Sequence, residues 1–316
     1  MRKKLKRLIH LLSVNARKTT KQLGKEIRAS QQSASYMLNK LQKEKYFINF
    51  TTVMDPVKFG LVNVLVLYDF VKFQAKTDVI NFLKKSPYVV SIEMCMQGAD
   101  IVVEYCVPNL SLFNKENKKL MHTFRRELNQ KEVYPIVVKH LCGRDYLTRS
   151  RIDSAIIVAG DRNTIKLTEL QKKMLLILQN NARTSTMSMV KTLKIDPKTV
   201  VKTRKKLEKE KVIRQYSLVL DAPSIPLSHT HVLMSLDYDN VNGIDTFIQH
   251  IRQTKNIIQI IKVIGDYDVL ITIEKEGTGK SVLQELRKTF PIVKYKVIES
   301  EKIIKSQSIP DIILSD

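Results

Sequence analysis

Two hydrophobic rhythms alternate along this chain of 316 residues. Around residues 166–216, Leu170, Met174, Leu175 and Leu178 recur at helical spacing behind Thr168, a side chain suited to cap a helix start. A second helix is predicted from Thr184 to Leu193, with Met187, Met189 and Val190 apolar. Lys194-Ile195-Asp196 then makes a three-residue turn, and Asp196-Pro197 opens a third helix running to Lys209. Residues 1–50 repeat the scheme with helices Leu5–Asn15, Thr20–Ile27 and Gln31–Lys43, the turn Arg28-Ala29-Ser30 lying before the third. Two short helices separated by three or four residues, the second polar and basic, form the helix-turn-helix pattern. Strand-like Phe47–Met54 and Ile213–Leu220 follow as wings or linker strands.

The remaining segments change period. Strand Val62–Phe70, helix Thr77–Lys85, strands Val89–Met96 and Asp100–Cys106, helix Ser111–Leu128 and strand Val133–Lys139 follow in the first half. The second half gives strand Thr230–Leu236, helix Gly243–Gln253, strands Ile257–Ile264 and Asp268–Glu274, helix Lys280–Phe290 and strand Ile292–Ile298. This βαββαβ order predicts a ferredoxin-like sheet with helices on one face and an apolar second face that needs a partner. The expected class is therefore α+β, with two winged helix-turn-helix units (1–50 and 166–216) alternating with two ferredoxin-like units (51–142 and 217–316). The linker 143–165 contains an apolar stretch, Ala155–Ala159, with the makings of an extra strand.

The halves align with each other. At a fixed offset of 166, residues 12–56 overlie 178–222 with 13 identities in 45 positions, among them Asn15, Ala16 and Arg17. Chance gives about three at ~6–7% random identity. A period this long is no solenoid and points to a fused dimer.

Charge follows the same division. The net charge is +23, of which residues 1–50 carry +11 and residues 162–216 another +11, while 51–161 carry +3 and 217–316 carry −2. Positive charge confined to two compact, patterned blocks is what release of counterions from a phosphate backbone requires. No run approaches the ~20 apolar residues of a membrane span, and the basic N-terminus lacks the apolar core of a secretory signal. A cytoplasmic, nucleoid-associated protein is expected. Cys95, Cys106 and Cys142 show no CxxC spacing and read as reduced packing residues.

With Leu178-Gln-Asn-Asn-Ala-Arg183, Thr199-Val200 to Leu207-Glu208, Val212-Ile213 and the turn Gly265-Asp266-Tyr267-Asp268, the chain resembles the Lrp/AsnC (feast/famine) transcription regulators, twice over. That resemblance implies DNA-binding heads, paired sheet domains forming a dimer core within one chain, further homo-oligomerisation, and an amino-acid-like effector. Lys45 and Lys211 stand where such proteins usually have a left-handed glycine, and Met37 and Thr203 where an arginine is expected. In the first half the Gly-x-x-Asp turn is displaced to Gln97-Gly98-Ala99-Asp100.

If the third helices enter the major groove, Gln31, Gln32, Ser33, Ser35, Tyr36 and Asn39 face base edges in the first head. Lys198, Thr199, Lys202 and Lys205 of the second read as phosphate contacts. Gly265, Asp266, Tyr267 and Asp268 are the effector candidates, against a plain hairpin-turn role. His229 and His231 lie on one side of a strand without a third metal ligand, which favours packing, and no metal or cofactor is expected. No Ser-His-Asp or Cys-His set, GxxxxGK[ST] or HExxH occurs, so the sequence predicts a protein that is not an enzyme. The rivals to a sequence-specific regulator are a nucleoid-packing protein of low specificity and, more remotely, a siroheme decarboxylase. The architecture resembles that of the latter as well, but their His-Asn-Tyr-x-Arg run is missing and the chain has no Trp.

Overall fold

Side-chain caps set the helix starts in both heads of the computed structural model, which describes residues 3–148, 155–220, 227–237, 243–275 and 280–315. The first head has α1 (Lys3–Val14), α2 (Thr20–Ile27) and α3 (Gln31–Lys43). Thr19 and Gln22 close a capping box on α2, and the Ser30 hydroxyl accepts from the Ser33 amide. In the second half, α6 (Glu169–Asn180), α7 (Thr186–Leu193) and α8 (Pro197–Lys209) start behind Thr168, Ser185 and Asp196. In both heads the second helix ends on a left-handed residue, Arg28 or Lys194, at φ 54°, and Gly24 of α2 lies where a Cβ would meet the Ala29 carbonyl oxygen at 2.9 Å. Val190 occupies the corresponding place in α7. Lys45 and Lys211 adopt φ of 53° and 58° after the third helices. The left-handed closure is thus retained without glycine, at a steric cost of about 1–2 kcal/mol each.

The heads interlock through their wings. β1 (Phe47–Met54) pairs antiparallel with β7 (Ile213–Leu220). The identical Asn-Ala-Arg triplets make reciprocal contacts across this sheet. Ala16 donates its amide to the Tyr216 carbonyl at 2.9 Å and Ala182 to that of Phe50 at 3.0 Å. The Arg17 guanidinium donates to the carbonyls of Ala182 and Thr184, and Arg183 to those of Ala16 and Lys18. Each arginine also lies over the aromatic ring of the opposite wing, Tyr216 or Phe50, 5.4 Å from its centroid. Both heads consequently share one apolar core, which the C-terminal helix α11 (Asp311–Ser315) joins through Leu314.

The other strands are β2 (Val62–Phe70), β3 (Val89–Gln97), β4 (Ile101–Val107), β5 (Leu128–Leu141), β6 (Ile156–Ala159), β8 (Ser228–Leu236), β9 (Ile257–Val263), β10 (Val269–Lys275) and β11 (Ile292–Ser306). They run in the order β2-β4-β3-β11-β8-β10-β9-β5-β6, and β2 also pairs with β5. Eight strands therefore close into a barrel and β6, the strand foreseen at Ala155–Ala159, lies outside it against β5. Helices α4 (Lys76–Lys85) and α5 (Leu110–Thr123) cover one outer face, α9 (Gly243–Ile251) and α10 (Lys280–Thr289) the other.

Strands β5 and β11 are far longer than the predicted Val133–Lys139 and Ile292–Ile298. Each pairs first within its own half and then across the seam, β5 with β2 and then β9, β11 with β8 and then β3. Barrel closure also explains the nearly unbroken apolar run of β2. Val64 and Val66 face the helices, Leu65 and Leu67 the lumen, so both faces are covered.

Candidate functional site: the exposed third helices and a polar chamber in the barrel

On α3 the polar residues Gln31, Gln32, Ser33 and Asn39 are exposed, Ser35 is half-buried, and the Tyr36 ring is 68% exposed. Ala34, Leu38 and Leu41 turn the opposite side into the core. On α8, Lys198, Lys202 and Lys205 are exposed and Thr199 is half-buried, tied to its cap by bonds to Asp196. Eight of the ten candidate residues are thus exposed, Ser35 and Thr199 being half-buried. Arg204 donates to Glu208 one turn further on, at 3.1 Å.

The turn at Gly265–Asp268 has structural duties. Asp268 accepts from the Leu236 amide at 2.9 Å, as Asp100 accepts from that of Phe70 at 2.6 Å, so both carboxylates brace a hairpin against a neighbouring strand. Gly265, at φ 146°, lies where a Cβ would come within 3.0 Å of the Tyr134 ring. Tyr267 stacks edgewise on Tyr134 beneath Lys294, while Asp266 is exposed. On β3, Met94 is buried and Met96 is 68% exposed.

His229 and His231 are buried, and their surroundings are polar. The lumen is apolar at one end, around Leu67, Leu233 and Ile298, and polar at the end facing the wing sheet. There His229 and His231 line a chamber of about 290 Å³, to which β1, β7 and every barrel strand contribute. Glu274, fully buried, receives the Arg144 guanidinium at 2.7 and 3.1 Å, His229 Nε2 at 2.6 Å and the Tyr146 hydroxyl. His231 Nε2 faces Glu93 at 3.1 Å, and its Nδ1 contacts Thr272, whose hydroxyl bonds Gln259. On the adjoining wall Glu104 Oε1 accepts from Asn63 Nδ2 and Lys139 Nζ, both at 2.5 Å. Arg144 also connects to the first head, because its carbonyl accepts from His10 Nδ1 on α1 at 3.1 Å.

These contacts bias protonation. Burial disfavours an ionised Glu93, but His231 and then His229 more than offset it and hold the carboxyl at about 2. Burial likewise opposes an ionised Glu274, and Arg144 and His229 overcome it, lowering that group further. Burial opposes a charged His229 while Glu274 raises it above its ordinary 6.5. The carboxylates therefore stabilise the fold above their unfolded value near 4.5, a contribution lost as pH falls through about 2 for Glu93. The imidazolium contributes fully below 6.5, and its contribution is lost as pH rises through its raised folded value. Thermal stability should be greatest between about pH 4.5 and 6.5, and His229→Gln should flatten the alkaline limb of a melting-temperature profile against pH.

No protein-family model matches the sequence, and no curated protein matches it. Among solved structures, the siroheme decarboxylase NirDL is similar over 97% of this chain and 94% of its own, with 14% identity and a TM-score of 0.63. The same enzyme in co-complex with an iron-uroporphyrin III analogue gives 97%, 93%, 15% and 0.61. An AsnC family transcriptional regulator from Agrobacterium tumefaciens is matched over 95% of its length by 45% of this chain, with 16% identity and a TM-score of 0.41. What this chain shares with NirDL is the fold.

These matches correct the expectation that the chain is not an enzyme, since the fold it has nearly end to end also carries a decarboxylase. No local spacing in the sequence marks the residues in and around the chamber, for a physical reason. Glu93, Arg144, Tyr146, His229, His231 and Glu274 come from separate strands and a loop, and only barrel closure makes them neighbours. Among the described residues, no helix is long and apolar enough to cross a membrane, and no group of three His, Cys, Asp or Glu side chains is placed to hold a metal ion.

Proposed function

We propose that this chain is a duplex-DNA-binding transcription regulator in which two unlike reading heads, the products of a tandem duplication, belong to one polypeptide. The observation that supports it most is the pair of uncovered third helices on the two segments that hold nearly all the excess positive charge. Wing pairing and the arginine clasps fix the spacing of the heads, as a protein gripping two half-sites needs. Gln31, Gln32 and Asn39 suit adenine edges, with Ser33, Ser35 and Tyr36 beside them, whereas Lys198, Lys202 and Lys205, with Thr199, suit phosphates. The heads being unlike, an asymmetric site should be preferred. Competition between a selected site and its two symmetrised palindromes tests this, and equal or better binding to a palindrome refutes the asymmetry. A ratio of specific to non-specific affinity near one at physiological salt would favour a packing role.

The likeness to NirDL over 97% of the chain supports a second reading, decarboxylation of a tetrapyrrole. The chamber's about 290 Å³ lies just below the ~300–1,000 Å³ that hold drug-sized ligands, so a macrocycle needs the wing sheet to shift. Titration with iron-uroporphyrin III, followed by its absorbance, discriminates: an unchanged spectrum rejects this reading.

A further inference from the structure

The chamber contains hydrogen-bond acceptors that nothing in the fold satisfies. Among the described residues, Glu93 Oε1 and Asn63 Oδ1 are buried without a hydrogen-bond partner. His231 Nε2 approaches Glu93 as an ion pair without completing such a bond. Asn63 itself is only 4% exposed, and its orientation is fixed, because the amide nitrogen must face Glu104 for a donor to meet that carboxylate. Leaving such groups unmet costs about 1–3 kcal/mol each, more for a charged one. Glu93 and Glu104 lie on adjacent strands. Glu104 stands opposite Ser91 and Glu93 opposite Val102, which makes the carboxylates diagonal neighbours about 7–8 Å apart at the backbone. The strong cations of the chamber are already engaged, Lys139 by Glu104 and Arg144 by Glu274. His229 Nε2 and His231 Nε2 also lack a completed hydrogen bond, but each already faces a carboxylate, Glu274 and Glu93, whereas Asn63 Oδ1 faces no donor. Nor does the overall charge repel a cation from this part of the chain, since segments 51–161 and 217–316 carry only +3 and −2.

We propose that the chamber binds a small organic cation, a primary ammonium or guanidinium compound, whose N–H groups are received by Glu93 and Asn63 with Glu104 alongside. A compact ligand of this kind fits a space of about 290 Å³, and the apolar floor of the lumen, at Leu65 and Val102, accommodates a short methylene chain. The proposal concerns a site separate from the third helices and stands whether or not they bind DNA.

Calorimetric titration of the full chain with 1,4-diaminobutane and with agmatine tests it, beside 1,4-butanediol as the uncharged and succinate as the oppositely charged analogue. One-site binding by at least one of the two cations, and by neither analogue, is expected. Glu93→Gln should weaken it at least tenfold. Ser91→Leu, which keeps every ionised group and fills the space, should abolish it and decides the matter if the glutamine variant does not fold. Absence of binding by both cations overturns the proposal. So does equal binding by the parent and the two variants, the mark of surface association, or a response to succinate.

Discussion

Replacing Lys198, Lys202 and Lys205 together by alanine should weaken duplex binding about equally on every sequence. It should also lower the slope of log K against log salt by about 2–3, at ~0.9 for each phosphate no longer neutralised. The three ammonium groups stand exposed on the outer face of α8, so their removal leaves the packing of Val200 and Leu207 intact. The contrasting variant carries Gln31→Ala, Gln32→Ala and Asn39→Ala on α3. Here the slope should hold while discrimination falls by about 1–3 kcal/mol for each bidentate base pairing removed. Filter binding or fluorescence anisotropy across a salt series reads both quantities. An unaltered slope in the lysine variant would mean that α8 does not hold the phosphate backbone.

Arg144→Met should be the most damaging single change to stability. It strips the guanidinium from a carboxylate that has no solvent exposure, and breaking a buried pair in this way costs about 3–5 kcal/mol. The double variant Arg144→Met with Glu274→Gln should recover much of that loss, because no uncompensated charge is then buried. Denaturant unfolding of the parent, single and double variants checks this, and a single variant as stable as the parent would show that water reaches Glu274 freely. Because the Arg144 carbonyl receives His10 of α1, loosening of this loop should also register at the first head.

The sequence disclosed most where function and structure depend on neighbours along the chain. Helix starts at Ser30, Thr168 and Asp196 were legible because a cap acts on amides two or three residues away. The Asn-Ala-Arg repeat was visible as an identity between halves, but its meaning was not. Only the crossed wings show Arg17 and Arg183 reaching into each other's head. The left-handed lysines at 45 and 211 illustrate the opposite case, in which the packing of the third helix against its wing overrides the local preference for glycine.

Sequence alone determined the class of each element, the twofold repetition, the polar outer face of α3 and the cationic one of α8, since periodicity and charge are local properties of the chain. It also marked His229 and His231 as sharing a strand face. Tertiary structure decided that the two sheets join at their edges, that β5 and β11 run on across the seams, and that two carboxylates, two histidines, an arginine and a lysine line one chamber. Strand pairing in a closed barrel brings together residues more than a hundred positions apart, and the free energy that compels them to pair, desolvation, arises only once they are enclosed.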